Sequence, residues 1–169
     1  HIFERSKARG VKVSKTGVDV RTARGTVTAA RVLVATGYAT PEFRGLVGRF
    51  KMKDTYVIAT RRLRASGTRT IMAWDTDRPY HYVRWTDDGR LLFGGADTVH
   101  RTAKGSRGRI ARARERLMAY LARVYPDLAE ETIEYAWEGL FAETPDGLPY
   151  IGEHSLYPKH LFALGYGHR

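Results

Sequence analysis

YHYVRWTDDGRLLFGGAD, residues 80–97, sets one alternating segment against another around the pair Asp88-Gly89. Tyr80, Tyr82 and Arg84 alternate with His81, Val83 and Trp85, the period of two that turns successive side chains to opposite faces of a strand. Asp88-Gly89 predicts a tight primed turn, because both of its central residues must tolerate positive φ. The stretch therefore reads as an antiparallel hairpin of strands Tyr80 to Trp85 and Arg90 to Phe93. Upstream, Tyr56 to Thr60 and Arg69 to Trp74 carry the same signal and extend the hairpin into an antiparallel sheet. Downstream, Ile110, Ala113, Leu117, Leu121 and Val124 recur at helical spacing, which predicts a helix over 106–124. Pro126 closes it, since proline restricts the residue before it and offers no amide hydrogen. The helix reads as a cover for the sheet, with Arg109, Arg112, Arg116 and Arg123 on its other faces and in water.

Further out, three short alternating segments, beginning near Val11, Val18 and Thr26, are separated by Lys15-Thr16-Gly17 and Ala23-Arg24-Gly25 and predict a β-meander. The third changes character at Val32-Leu33-Val34-Ala35, a continuous apolar run expected of a strand buried on both faces, and ends at Thr36-Gly37. Beyond the helix, Ile133, Tyr135 and Trp137 alternate with Glu134, Ala136 and Glu138, a half-buried strand of about ten residues. The turn Thr144-Pro145-Asp146-Gly147 follows, and Leu161 to Leu164 forms a final apolar strand. The fold class expected is α+β, an antiparallel sheet with a covering helix interleaved with part of an α/β domain. The boundaries expected are 1–48, 49–140 and 141–169.

With 169 residues and 43% hydrophobic content, the chain can enclose a core. No run approaches the ~20 consecutive apolar residues of a membrane-spanning helix. Cysteine is absent, which excludes disulfides, thiolate metal sites and a cysteine nucleophile. It is compatible with a reducing cytoplasm, the compartment expected. The net charge of +11 raises the possibility of nucleic acid. The basic residues are scattered among carboxylates rather than clustered, so no nucleic-acid partner is expected. The chain opens on His1 and stops soon after the last strand, and it reads as a piece of a longer protein.

Ordinary catalytic devices are missing: there is no G-x-x-x-x-G-K-[ST] loop, no H-E-x-x-H and no G-x-S-x-G elbow. The six histidines show no ligand spacing, so no metal is expected, and no residue stands out as a catalytic acid or base. Glu138 and Glu143 flank one strand end without a spacing that pairs them.

Three segments, in order, resemble the D-amino-acid oxidase and glycine oxidase superfamily of FAD-dependent oxidoreductases. ARVLVATGY at 30–38 is similar to the strand that leads out of the flavin domain. Residues 80–97 resemble the hairpin of the substrate domain. YAWEGLFAETPDGLPYIG at 135–152 and LFALGYG at 161–167 resemble the return to the flavin. The resemblance implies hydride transfer from a carbon bearing nitrogen, in an amine or amino acid, to FAD. It implies cofactor-binding roles for Thr36, Gly37, Gly147, Gly165, Tyr166 and Gly167, whose amides could approach the flavin pyrimidine with no Cβ in the way. Tyr80, Tyr82 and Arg84 lie on one face of their strand by period-two counting and with Phe141 could line the substrate pocket, core packing of the two tyrosines being the other reading. Members that oxidise free amino acids place an arginine after the Gly-Leu of the late strand. Here Gly139-Leu140 is followed by Phe141, which tilts the expectation toward an amine or a larger N-substituted substrate unless another arginine, such as Arg84, supplies the anchor. The G-x-G-x-x-G turn that grips the FAD pyrophosphate is expected upstream of His1. Two other readings stay open: a non-catalytic basic module that captures an anionic partner, and a structural domain with the fold but no chemistry.

Overall fold

A computed structural model describes residues 1–63, 71–101 and 106–166. The chain divides into two compact units, one formed by His1–Lys51 with Ala142–Arg169 and the other by Met52–Phe141.

The first unit begins with the meander. Strands β1 (Gly10–Val13), β2 (Val18–Arg21) and β3 (Thr26–Ala29) pair antiparallel in sequence order. Each connection closes with one short backbone bond, from Ser14 N–H to the Gly17 carbonyl and from Thr22 N–H to the Gly25 carbonyl, both 2.8 Å. Gly17 is required by contact: a Cβ there would lie 2.4 Å from the Ala29 carbonyl oxygen. The third sequence segment is in fact two strands. The chain leaves the meander at Ala30-Arg31 and starts β4 (Val32–Gly37) in a second sheet.

That second sheet is built from both ends of the chain. After β4 come a short helix α1 (Arg44–Val47) and, much later, β10 (Tyr150–Glu153) and β11 (His160–Leu164). β11 lies in the centre, antiparallel to β10 and parallel to β4, with Phe162 opposite Val34 and Leu164 opposite Gly37. On one face Phe162 and Leu164 are fully buried together with Leu46. Phe43 packs edge-on against Phe162, with ring centres 5.1 Å apart, and Tyr157 adds a second edge contact at 5.7 Å. The other face corrects the expectation that β4 is covered on both sides. Val34 alone of its apolar run is buried, Leu33 is 61% exposed, and Ile151 on β10 is 72% exposed. Among the described residues nothing covers Leu33, so its face of the strand stays open.

The second unit is a five-stranded sheet in the order β6-β7-β8-β5-β9, with a helix on one face. The strands are β5 (Lys51–Thr60), β6 (Met72–Trp74), β7 (His81–Trp85), β8 (Leu91–Val99) and β9 (Ile133–Glu143), and the helix is α2 (Ser106–Val124). The helical spacing is observed as a buried stripe: Ala113, Leu117 and Leu121 have no exposed surface. They close on Tyr56, Ile58, Val83, Leu91, Phe93 and Ile133. Each such leucine contributes about 1.5–3 kcal/mol by leaving water. A last helical bond, from Tyr125 N–H to the Leu121 carbonyl at 2.7 Å, precedes the 3-10 turn that begins at Pro126. Arg112, Arg116 and Arg123 are exposed, whereas Arg109 is half-buried and pairs with Glu138 at 3.5 Å.

The β7–β8 hairpin departs from the two-residue turn. Thr86 N–H bonds the Arg90 carbonyl at 2.9 Å and Gly89 N–H bonds the Thr86 carbonyl at 3.0 Å, leaving a three-residue loop. Gly89 has φ 82°, and Asp88 is not in the left-handed region. The Thr86 hydroxyl explains the extra residue: it accepts from Arg90 N–H at 2.9 Å and donates to Asp88 Oδ1 at 2.6 Å. Those bonds favour a type I turn with one left-handed glycine over a primed turn. Of the sequence-predicted strand Arg69 to Trp74, the first two residues lie outside the described residues.

Candidate functional site

In the first unit, the glycine-tipped strands meet directly. The parallel register of β4 and β11 brings Gly37 beside Leu164, and Gly165 N–H donates to the Gly37 carbonyl at 2.8 Å. Both glycines are left-handed, Gly37 at φ 81° and Gly165 at φ 70°. At Gly165 the fit is tight as well, since a Cβ would lie 3.0 Å from Thr144 Cγ2 and 3.1 Å from Phe50 Cε1. Beside Gly37 the space is open, with nothing within 4 Å of a Cβ position. Thr36 turns its hydroxyl to the Tyr38 carbonyl at 2.7 Å, and Tyr166 crosses from the neighbouring strand to donate to the Ala35 carbonyl at 2.9 Å.

Gly147 belongs to a separate turn that reaches this tip through Thr144. Its N–H bonds the Thr144 carbonyl at 3.2 Å, and the Thr144 hydroxyl donates to the Leu148 carbonyl at 2.7 Å. Asp146 holds the same turn by accepting from Leu148 N–H at 3.1 Å, and this bond is the main reason its carboxyl titrates below the usual range. Thr36, Gly37, Gly165 and Tyr166 are thus brought together, Gly147 stands one turn away, and Gly167 lies outside the described residues. One expectation needs correction: the amide hydrogen of Gly165 is spent on Gly37, so it is a strand-joining group and does not face a ligand.

The second unit presents its own face. His81 and Val83 turn toward α2, so the alternate residues Tyr82 and Arg84 turn to the side away from the helix. Tyr80 precedes β7 rather than lying within it, yet its ring stands 6.0 Å from that of Tyr82. The Tyr82 ring lies flat over Gly94, where a Cβ would come within 2.4 Å of Cζ. Both phenols titrate above the ordinary tyrosine range: burial is the main cause for each, the negative charge of Asp97 adds to it, and a bond from Thr55 partly opposes it at Tyr82. Arg84 is exposed, and Phe141 is half-buried at the end of this unit. Sequence reasoning missed Asp97, Thr55 and the seat at Gly94, although two consecutive glycines opposite Tyr-His-Tyr were a visible sign of close approach.

On the helix side a polar cluster fixes the loop before β7. Tyr120 donates to Asp75 Oδ2 at 2.6 Å, His81 Nδ1 stands 3.1 Å from the same oxygen, and the His81 and Tyr120 rings stack 3.8 Å apart. Asp75, Asp77 and His81 hold their ligand atoms within 4.8 Å of one another, a grouping that histidine spacing alone could not reveal. Glu138 and Glu143 lie five residues apart on β9 and so face opposite ways, and Glu138 is committed to Arg109. No helix among the described residues is long and apolar enough to cross a membrane.

A family model described as "FAD dependent oxidoreductase" (DAO) matches residues 1–169. The chain is 28% identical over 166 residues to "Probable oxidoreductase OrdL" of Rhizobium meliloti (strain 1021), covering 90% of this chain and 35% of that protein. It is 30% identical over 140 residues to "Gamma-glutamylputrescine oxidoreductase" of Escherichia coli (strain K12), covering 79% and 32%. Among solved structures it is similar to glycine oxidase from Geobacillus kaustophilus, with TM-score 0.74, 22% identity and coverage of 98% of this chain and 44% of that one. It is also similar to L-proline dehydrogenase from P. horikoshii, with TM-score 0.76, 18% identity and coverage of 98% and 45%. These two likenesses establish the fold. The chain spans about a third of the length of the curated relatives it matches. With its whole length matched by one family model, the chain belongs to the DAO family of FAD-dependent oxidoreductases.

Proposed function

We propose that the protein carrying this chain oxidises a carbon–nitrogen bond of an amine or amino acid, with the first unit contributing strand ends to the FAD site and the second unit a substrate-binding face. The observation that supports this most directly is the bond from Gly165 to Gly37, which joins two left-handed, Cβ-free strand ends beside open space. Such a tip fits a flat ring system, because side chains that would hold it off are absent. FAD, when bound, supplies the hydride acceptor.

The chain's own residues have three tasks. Thr36, Gly37, Gly165 and Tyr166 shape the tip, with Gly147 in the neighbouring turn. Tyr166 locks the tip by tying β11 to the Ala35 carbonyl of β4. Tyr80, Tyr82, Arg84 and Phe141 line the substrate face. Burial and Asp97 keep both phenols protonated well past neutrality, so they act there as O–H donors and aromatic walls rather than as bases. Phe141 offers an apolar contact where a carboxylate anchor would need a guanidinium, which favours an amine over a free α-amino acid.

The test is anaerobic mixing of the full-length, flavin-loaded protein with a panel of amines and amino acids while the visible flavin band is followed. Bleaching by an amine is the expected result. A protein that holds flavin but is reduced by no member of the panel overturns the reading.

A further inference from the structure

Two arginines of the β7–β8 hairpin are treated oppositely by the fold. Arg90 is saturated: it donates to Asp88 Oδ2 at 3.0 Å and to the Thr60 carbonyl at 3.1 Å, and it pairs with Glu134. Arg84 is exposed and, among the described residues, has no hydrogen bond or ion pair. Its cross-strand neighbours are Met72 on β6 and Leu92 on β8, neither of which can offset a charge. The pairing also fixes what shares its face. Ala73 and Val83 pack toward α2, so Met72 and Trp74 turn to the opposite side with Tyr82 and Arg84, and Trp74 stands directly across from Tyr82. Met72 is 59% and Trp74 69% exposed. Asp97, a carboxylate on this face, is engaged in an interaction of its own and lies five residues along β8 from Leu92, about 15 Å of strand. A guanidinium thus stands unpaired among exposed apolar side chains, a surface whose complement is an anion carried on an apolar body.

We propose that Arg84, with Met72 and Trp74 beside it, binds a carboxylate at the end of an apolar arm of the substrate, so that the substrate class is an amine whose carboxylate stands away from the carbon oxidised. The proposal rests on the reading above that this is the substrate face. Arginine suits the task because its planar fork offers two parallel N–H donors to a carboxylate. The apolar arm follows from the neighbours. A small α-amino acid at the guanidinium would leave the Trp74 ring and the Met72 side chain in water, whereas an arm lying along them removes apolar surface from water on both partners. Met72 and Trp74 carry no sequence signal of a site, since β6 is a three-residue strand at the edge of the sheet.

Calorimetric titration of the full-length, flavin-loaded protein with 4-phenylbutanoate and with its neutral counterpart 4-phenylbutan-1-ol tests the proposal without turnover. The carboxylate is expected to bind at least about tenfold more tightly than the alcohol, the usual scale of one charge-assisted bond, and Arg84→Gln to erase that preference. Trp74→Ala is expected to weaken both probes by about tenfold and to leave their ratio unchanged. Equal binding of the two probes by the unsubstituted protein, or a preference that survives in Arg84→Gln, overturns the anion site. Unchanged affinity for both probes in Trp74→Ala overturns the apolar arm. If Arg84→Gln does not fold, the two probes on the unsubstituted protein decide the matter alone. A preference for the carboxylate in a protein whose flavin no amine reduces overturns the oxidation reading and leaves the anion site standing. Flavin reduction by amines in a protein that binds both probes equally does the reverse.

Discussion

The two faces of the five-stranded sheet are made by the same strands and differ in nearly everything else. Under α2, Leu117, Leu121, Ile58 and Phe93 interlock without surface. On the other side, glycine at 94 makes room for a tyrosine ring, Arg84 is exposed, and the buried aliphatic residues of β5 are the smaller Val57 and Ala59. The comparison teaches that in this unit the packed core lies on one side and the proposed substrate face on the other, so substitutions on the two sides should have separable effects.

Leu117→Ala tests that separation with the largest effect. A cavity under the helix should cost about 3 kcal/mol, read by chemical denaturation, while the rate at which an amine bleaches the flavin stays within about twofold. Loss of that bleaching in a still-folded Leu117→Ala protein would join the two faces after all. Gly165→Ala moves the contrast to the first unit: a left-handed φ and a Cβ crowded by Thr144 and Phe50 should together cost about 2 kcal/mol and loosen the flavin, read as a weaker flavin titration.

Acid should act on the helix side. At Asp75, burial acts to raise the carboxyl, but bonds from Tyr120, the His81 amide and ring and the Asp77 amide prevail and hold it below the usual range. A lowered folded-state value means that Asp75 stabilises at pH above the unfolded carboxylate range of about 4, and that this contribution fades as pH falls through the lower folded value. Stability curves against pH should therefore show a smaller acid-side loss in Asp75→Asn than in the parent. An unchanged slope would remove the loop cluster from the account. The smallest effect belongs to Arg123, whose guanidinium sits 4.4 Å from the Tyr120 ring at an exposed site. Arg123→Ala should cost about 0.5 kcal/mol, measured by thermal melting.

Where the sequence carried a long, unbroken period it could be read directly. α2 spans 106–124 as its apolar spacing and Pro126 require, and the meander turns fall at the glycines. Local hydrogen bonding defeated the rule at Asp88-Gly89, since the Thr86 hydroxyl stabilises a longer loop. Asp97 was invisible for a geometric reason. Counting by twos from Phe93 places it under the helix, but Gly95 at φ 128° and Ala96 at φ 52° insert an extra residue and send it to the other face. The exposed side of Leu33 could not be read at all, because a continuous apolar run states that cover is suited to a strand, not which segment provides it. At the strand tip the residue types and the meeting of the two ends followed from the resemblance. That Gly165 would spend its amide on Gly37 did not, since a hydrogen bond between strands so distant in sequence depends on register.

The parallel pairing of β4 with β11 also sets an order of events during synthesis. Met52–Phe141 leaves the ribosome as one uninterrupted stretch, and all of the strands and the helix of its sheet are close neighbours in the chain. β4 emerges earlier than any of it, yet its partner His160–Leu164 emerges after all of it. The pairing of β4 with β11 is therefore a long-range one, closed only after the whole of the central unit has been made, the kind of non-local contact that slows folding.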